Sequence, residues 1–261
     1  MARALRNTVV QTMLRTLAAM ILMIMVILVI PMMPIVLVGC AARIPIYPAL
    51  SNTDSLNAIS QRLDSVTTIS ATADLTLIDA QGQTVTLDGA FVAHPPHQAR
   101  LRAWKFGSPV LDLTILPEGV WAFAASREGT SPSDLSKLPA AGVSQSIQML
   151  SGAYFAHAHV IEADSTPAIL VVVGPAFGRD DVRCEIDRAT LTPRQFVINA
   201  DGKVMRLILD RYTLIGATVW AQRMEFKTPE GTIVIRLSDI ELNGELTESA
   251  FVPPGRARQL P

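Results

Sequence analysis

Three patterns of apolar and polar residues follow one another along this chain. Residues 17–39 form an uncharged run of 23, preceded by Arg3, Arg6 and Arg15. Beyond residue 54 the apolar positions Leu56, Ile59, Leu63 and Val66 recur at steps of three and four. That spacing puts them on one helical face, with Thr53 or Asp54 placed to cap the start. At Ile69 the period drops to two: Ile69, Ala71, Ala73, Leu75 and Leu77 alternate with Ser70, Thr72, Asp74 and Thr76, as in a strand with one buried face. Gln81-Gly82 turns the chain, and Val85, Leu87, Gly89 and Phe91 then alternate with Thr84, Thr86 and Asp88, which predicts a hairpin. Pro95-Pro96 ends it, because proline has no N–H to give a ladder. Further strands are predicted over 99–106, 110–116 and 120–125, separated by Gly107-Ser108-Pro109 and Pro117-Glu118-Gly119. Five strands with short connections predict an antiparallel meander.

The middle breaks this rhythm. Ser131-Pro132-Ser133-Asp134 reads as a helix start, and Val143, Ile147, Met149 and Leu150 as a second helical segment. Strands then resume over 168–173, 182–187, 194–199, 204–212, 218–226 and 232–242, with Asp201-Gly202 and Glu230-Gly231 as turn signals. The clearest places Trp220, Gln222, Met224 and Phe226 on one face, against Ala221, Arg223, Glu225 and Lys227 on the other. The pattern therefore predicts a mainly β domain with a few helices (α+β). About 11 antiparallel strands would form one strongly curved sheet, its apolar face covered by the helices.

Charge and cysteine usage bear on the start of the chain. At about 1.5 Å per residue the uncharged run could cross a hydrocarbon core of roughly 30 Å as a helix. Its end decides the reading, since Leu37-Val38-Gly39-Cys40 resembles the bacterial lipobox. That resemblance implies a diacylglycerol group on the Cys40 sulfur, cleavage just before it, and attachment to membrane lipid through Cys40. The expected organisation is a lipoprotein signal peptide over 1–39, a lipid-anchored tether over 40–53 containing Pro45 and Pro48, a domain over 54–255 and a tail over 256–261. The alternative for the leader is a transmembrane helix with an incidental cysteine, in keeping with its length and with Pro31 and Pro34; a start at Met13 would shorten it. Without the leader the chain carries 19 basic and 23 acidic side chains, a net charge of about −4, which argues against nucleic acid as a partner. Lipidation of Cys40 would leave Cys184 unpaired, so no disulfide is expected. Sharing a face with Val182 and Ile186, Cys184 reads as a small buried apolar residue.

Candidate chemistry is sparse. The four histidines are His94, His97, His157 and His159; the last two would share a face if extended, but no acidic cluster or further cysteine completes a metal set. No nucleophile elbow or phosphate loop occurs, and neither an enzyme, a metal nor a cofactor is expected.

Three stretches carry a likeness. They are Ile69-Ser70-Ala71-Thr72-Ala73, then Ala99-Arg100-Leu101-Arg102 leading into Phe106-Gly107-Ser108-Pro109-Val110, and Ile240-Glu241-Leu242-Asn243 through Phe251-Val252-Pro253-Pro254. Through these, residues 55–254 resemble the Lol superfamily of lipoprotein carriers, and the lipobox brings the likeness nearer to LolB, itself a lipoprotein, than to soluble LolA. The resemblance implies an incomplete antiparallel barrel with a helical lid, binding lipid or lipoprotein acyl chains in the hollow between. Leu75, Leu87, Phe91, Leu113, Trp121, Leu207, Trp220 and Phe226 would line that hollow. It also implies an exposed hydrophobic loop tip for delivery to the membrane. Trp104 and Phe106 are its nearest counterparts, with burial in the strand as the other reading. Arg100 and Arg102 read either as lipid head-group contacts or as cations on a solvated strand face. A soluble LolA-like carrier is the implied protein partner. Because Ala41 rather than aspartate follows Cys40, the expected location is the periplasmic face of the outer membrane. The competing class is an envelope scaffold or sensor domain of the same fold that binds a protein and no lipid.

Overall fold

The computed structural model describes residues 43–125, 149, 151–176, 179–200 and 202–260. The leader, Cys40 and Ala41 lie outside these residues, as do the predicted helix start at Ser131 and the positions Val143, Ile147 and Leu150. Met149 is helical and fully buried.

Period-two alternation builds the sheet where it is predicted. The first meander comprises β1 (Ile69–Asp79), β2 (Thr84–His94), β3 (Gln98–Lys105), β4 (Ser108–Leu116) and β5 (Gly119–Ala124). The second comprises β6 (His159–Val160), β7 (Ile169–Ala176), β8 (Arg179–Asp187), β9 (Thr192–Ala200), β10 (Lys203–Ile215), β11 (Thr218–Thr228) and β12 (Gly231–Leu242). A last strand, β13 (Arg258–Gln259), returns to pair with β5. All neighbouring strands are antiparallel, in the order β13-β5-β4-β3-β2-β1-β12-β11-β10-β9-β8-β7-β6. The two meanders are joined along β1 and β12, where Leu75 sits opposite Ile235 and Leu77 opposite Ile233. The order has two ends, β13 and β6, so the sheet is an incomplete barrel among the described residues. The sheet has 13 strands rather than 11, because β6 and β13 are two-residue edges too short to show a period; β13 lies within the predicted tail.

Laid flat, thirteen strands would span roughly 58 Å. The first helix, α1 (Asn52–Asp64), is about 20 Å long and cannot cover such a width. The sheet instead gathers its apolar face into one core cluster that includes side chains from β1–β4 and β7–β12. Leu56, Ile59 and Leu63 of α1 enter the same cluster, as the three-and-four spacing predicts. The cap is Ser51 rather than Thr53 or Asp54: its Oγ accepts from the Asp54 N–H at 3.1 Å and donates to the Asp54 carboxylate at 2.6 Å. The second helix, α2 (Gly152–His157), puts Tyr154 and Phe155 edge-on to each other and against Phe196 of β9. Ser60 donates to the Gly152 carbonyl at 3.0 Å, and a Cβ at Gly152 would collide with the Ser60 carbonyl and the Asp64 carboxylate, so only glycine permits this approach. Part of the predicted tether is laid against the domain. The Tyr47 N–H donates to the Ala189 carbonyl at 2.8 Å, and Tyr47 and Leu50 pack on the core.

Candidate functional site: an apolar inner face and an exposed hairpin tip

Directly opposed residues in antiparallel strands share a face. Leu75 of β1 lies opposite Leu87 of β2; Phe91 of β2 lies opposite Leu101 of β3, which in turn faces Leu113 of β4. On the far side of the seam Phe226 of β11 is opposite Ile233 of β12 and Leu207 of β10, and Leu207 is opposite Phe196. Seven of the eight predicted lining residues, Trp220 included, therefore belong to one continuous apolar cluster, each 0–5% exposed. Trp121 is the exception. It pairs with Thr114, whereas Leu113 pairs with Ala122, so it points to the opposite face and is half-buried there near β13. Size suggests an inner position, but every residue of β5 is half-buried and the strand carries no alternation that could set its phase.

Polar contacts hold α1 over this region. Arg62 donates to the Leu191 carbonyl and, at 3.5 Å, to that of Thr190, while Asn52 donates to Glu162 at 2.6 Å. At the end of α1 the Asn243 side chain accepts from the Thr67 N–H at 2.7 Å and donates to the Ser65 carbonyl at 3.0 Å, joining the last turn to the end of β12. Nothing in the periodicity around Asn243 signals this role. Its left-handed φ of 61°, which asparagine tolerates, follows from the turn it makes.

The inner face carries little that could react. Cys184 is fully buried opposite Val172 and Phe196, and burial, with the nearby Glu185 charge, pushes its thiol well above the ordinary value. Tyr154 is likewise shifted up by burial and donates to the Val182 carbonyl at 2.7 Å. Trp220 leaves its indole Nε1–H without a partner among the described residues. His157 ends α2 and His159 belongs to β6, both exposed, so they do not form the extended pair the spacing allowed. Among the described residues no three His, Cys, Asp or Glu side chains gather to hold a metal ion, and no helix is long and apolar enough to cross a membrane.

Of the two loop-tip candidates the structure exposes one. Phe106 and Gly107 form the two-residue turn between Lys105 and Ser108, with φ of 52° and 75°, and Phe106 is 90% exposed. Trp104 is half-buried on β3. A large aromatic at positive φ is uncommon, and nothing in the fold shelters this one. Behind the tip, on the outer face, Arg100 grips Asp112 with two bonds of 2.9 and 2.7 Å and donates to the Ala250 carbonyl at 3.1 Å. Arg100 is thus a structural cation buried under the C-terminal segment. Arg102 stays half-exposed, 5.4 Å over the Trp104 ring.

No protein-family model and no curated protein matches the sequence. Solved structures do match the fold. A domain assigned to outer membrane lipoprotein sorting from Vibrio parahaemolyticus aligns with a TM-score of 0.56 at 14% identity, over 76% of this chain and 95% of its own. A LolA superfamily protein from Nitrosomonas europaea gives 0.54 at 11%, over 76% and 97%. A DUF1329 family protein from Desulfovibrio piger gives 0.54 at 12%, over 77% and 95%.

Proposed function

From this LolA-superfamily fold, we propose that the chain is a membrane-anchored lipoprotein whose incomplete barrel binds lipid or lipoprotein acyl chains and takes part in their transport or insertion at the outer membrane. The observation that carries the proposal is the continuous apolar face running from β4 across the seam to β7, with the stripe of α1 buried in the same cluster. An acyl chain and that stripe compete for one surface. Each methylene transferred from water contributes about 0.8 kcal/mol, so a chain of ordinary length can take over the apolar surface that the covering segments leave when they move. Binding then needs no reaction, in keeping with an inner face that offers a protonated buried thiol and, among the described residues, no acid–base pair. The exposed Phe106 supplies an apolar contact with the bilayer into which the cargo would pass.

Native mass spectrometry of the purified full chain tests acyl binding: co-purified lipid is expected, while a protein that takes up no fatty-acyl probe contradicts it. Recovery of a stable protein partner with no lipid would mark a scaffold or sensor instead. Anchoring is read separately. Cys40 should carry the mass of its acyl groups after loss of residues 1–39, and Cys40→Ser should leave an unprocessed precursor, since a hydroxyl is a far weaker nucleophile than a thiolate. An intact leader with no added mass would identify a transmembrane anchor. Fractionation with inner-membrane markers would refute the outer-membrane location.

A further inference from the structure

The outer face of β3–β5 carries a groove of about 490 Å³ that acyl binding on the inner face does not use. Its apolar lining includes Trp104, Pro109, Leu111 and Phe123, and the C-terminal segment contributes Pro254 and Arg256. The lining holds three arginines, Arg100, Arg102 and Arg256, and a single carboxylate, Asp112. Arg100 already occupies both oxygens of Asp112 in a fork, and Thr114 adds a bond to Oδ1 at 3.2 Å. Arg102 reaches Oδ2 only at 3.4 Å with about half its side chain exposed, and Arg256 is exposed with no carboxylate partner among the described residues. Three guanidiniums against one carboxylate therefore leave the lining a net charge of +2 beside an apolar surface.

We infer that this groove binds the phosphate of an anionic phospholipid, with Arg102 and Arg256 as donors and the Trp104 and Phe123 side against the glycerol and first methylenes. Guanidinium forks suit a phosphate, and the Arg102 Cζ, 5.4 Å from the centre of the Trp104 ring, is drawn to that side of the groove by a cation–π attraction. The volume falls in the range of about 300–1,000 Å³ usual for small-molecule sites. An apolar lining favours a ligand with an alkyl body over a bare anion. The hairpin adds direction: Arg102 of β3 lies four residues before Phe106 in the turn, a rise of roughly 13 Å, which sets it at head-group depth when the tip enters the edge of the hydrocarbon. The inference rests on the membrane-contacting role proposed for that tip.

The test uses the full chain in an uncharged detergent, titrated with dihexanoyl phosphatidylglycerol, dihexanoyl phosphatidylcholine and inorganic phosphate, with binding counted by native mass spectrometry. Phosphatidylglycerol should bind about tenfold more tightly than phosphatidylcholine, and Arg102→Gln and Arg256→Gln should each remove most of that preference without lowering the melting temperature. Equal binding of the two lipids, or a preference that survives both substitutions, overturns the inference. Inorganic phosphate binding as tightly as phosphatidylglycerol would make this a free-anion site and overturn the lipid assignment. Saturating the chain with a fatty-acyl probe before the titration separates the two proposals: the phosphatidylglycerol preference should persist with the probe bound, its loss would overturn a separate outer site, and a preference seen in a chain that takes up no probe would sink the acyl-binding proposal alone.

Discussion

Asp112 shows how one polar residue can organise a surface that would otherwise be packed only by apolar groups. It is 5% exposed, and its partner Arg100 is also largely buried, so removing the carboxylate strands a guanidinium under the C-terminal segment. Asp112→Ala should cost about 3 kcal/mol in urea denaturation, and Asp112→Leu with Arg100→Met should cost much less than the sum of the two single changes. Additive losses would show that the pair is not coupled. Cys184 offers the opposite case, a reactive group made inert. Because burial raises its thiol, it stays protonated at neutral pH; iodoacetamide should modify the Cys184 peptide only after denaturation, and labelling of the native protein would contradict its place in the core. Residue roles are legible in the sequence where neighbours set a phase, as for Cys184 between Val182 and Ile186. They are not legible at Trp121, whose strand has no alternation, nor at Phe106, where the turn and not the strand decides exposure.

At the scale of elements, strands such as β1 and β11 are legible because apolar and polar positions alternate along them, and β7 because Ile169 to Val173 form an uninterrupted apolar run; β6 and β13 are invisible because two residues show no period and their pairing is imposed by neighbours. The pattern misplaces the start of α1 by two or three positions, since Ser51, Thr53 and Asp54 can all cap and only the backbone selects among them. Strand β11 carries a charge arrangement with a pH consequence. Burial alone would raise Glu225, but hydrogen bonds from Lys227 and Arg223, and their charges, outweigh it and hold the carboxyl below the ordinary 4.5. That contribution is present above the unfolded value and is lost as pH falls through the lower folded one. The wild type should therefore lose stability below about pH 4.5 more steeply than Glu225→Gln in acid melts, and parallel curves would count against the network. The β3–β4 hairpin makes a separate prediction. Phe106→Ser should leave the melting temperature unchanged, because the side chain packs on nothing, yet slow transfer of a fluorescent acyl probe to vesicles; unchanged transfer would remove the tip from the account.

For the molecule as a whole, an incomplete barrel follows from joining two meanders through β1 and β12 while leaving β6 and β13 unpaired with each other. The sequence predicts both meanders but not the seam, because alternation specifies a face and says nothing of which strand lies beside which. The helix that covers the apolar face is held by hydrogen bonds rather than covalent links. The proposed occupant of this inner face is an acyl chain. The most direct measurement is photolabelling of the full chain with a diazirine-bearing fatty acid, followed by peptide mapping. Labels are predicted on β2, β10 and β11, at or beside Leu87, Phe91, Leu207 and Phe226, and absent from Trp121; labels confined to the outer face, or none at a saturating probe concentration, would contradict the account.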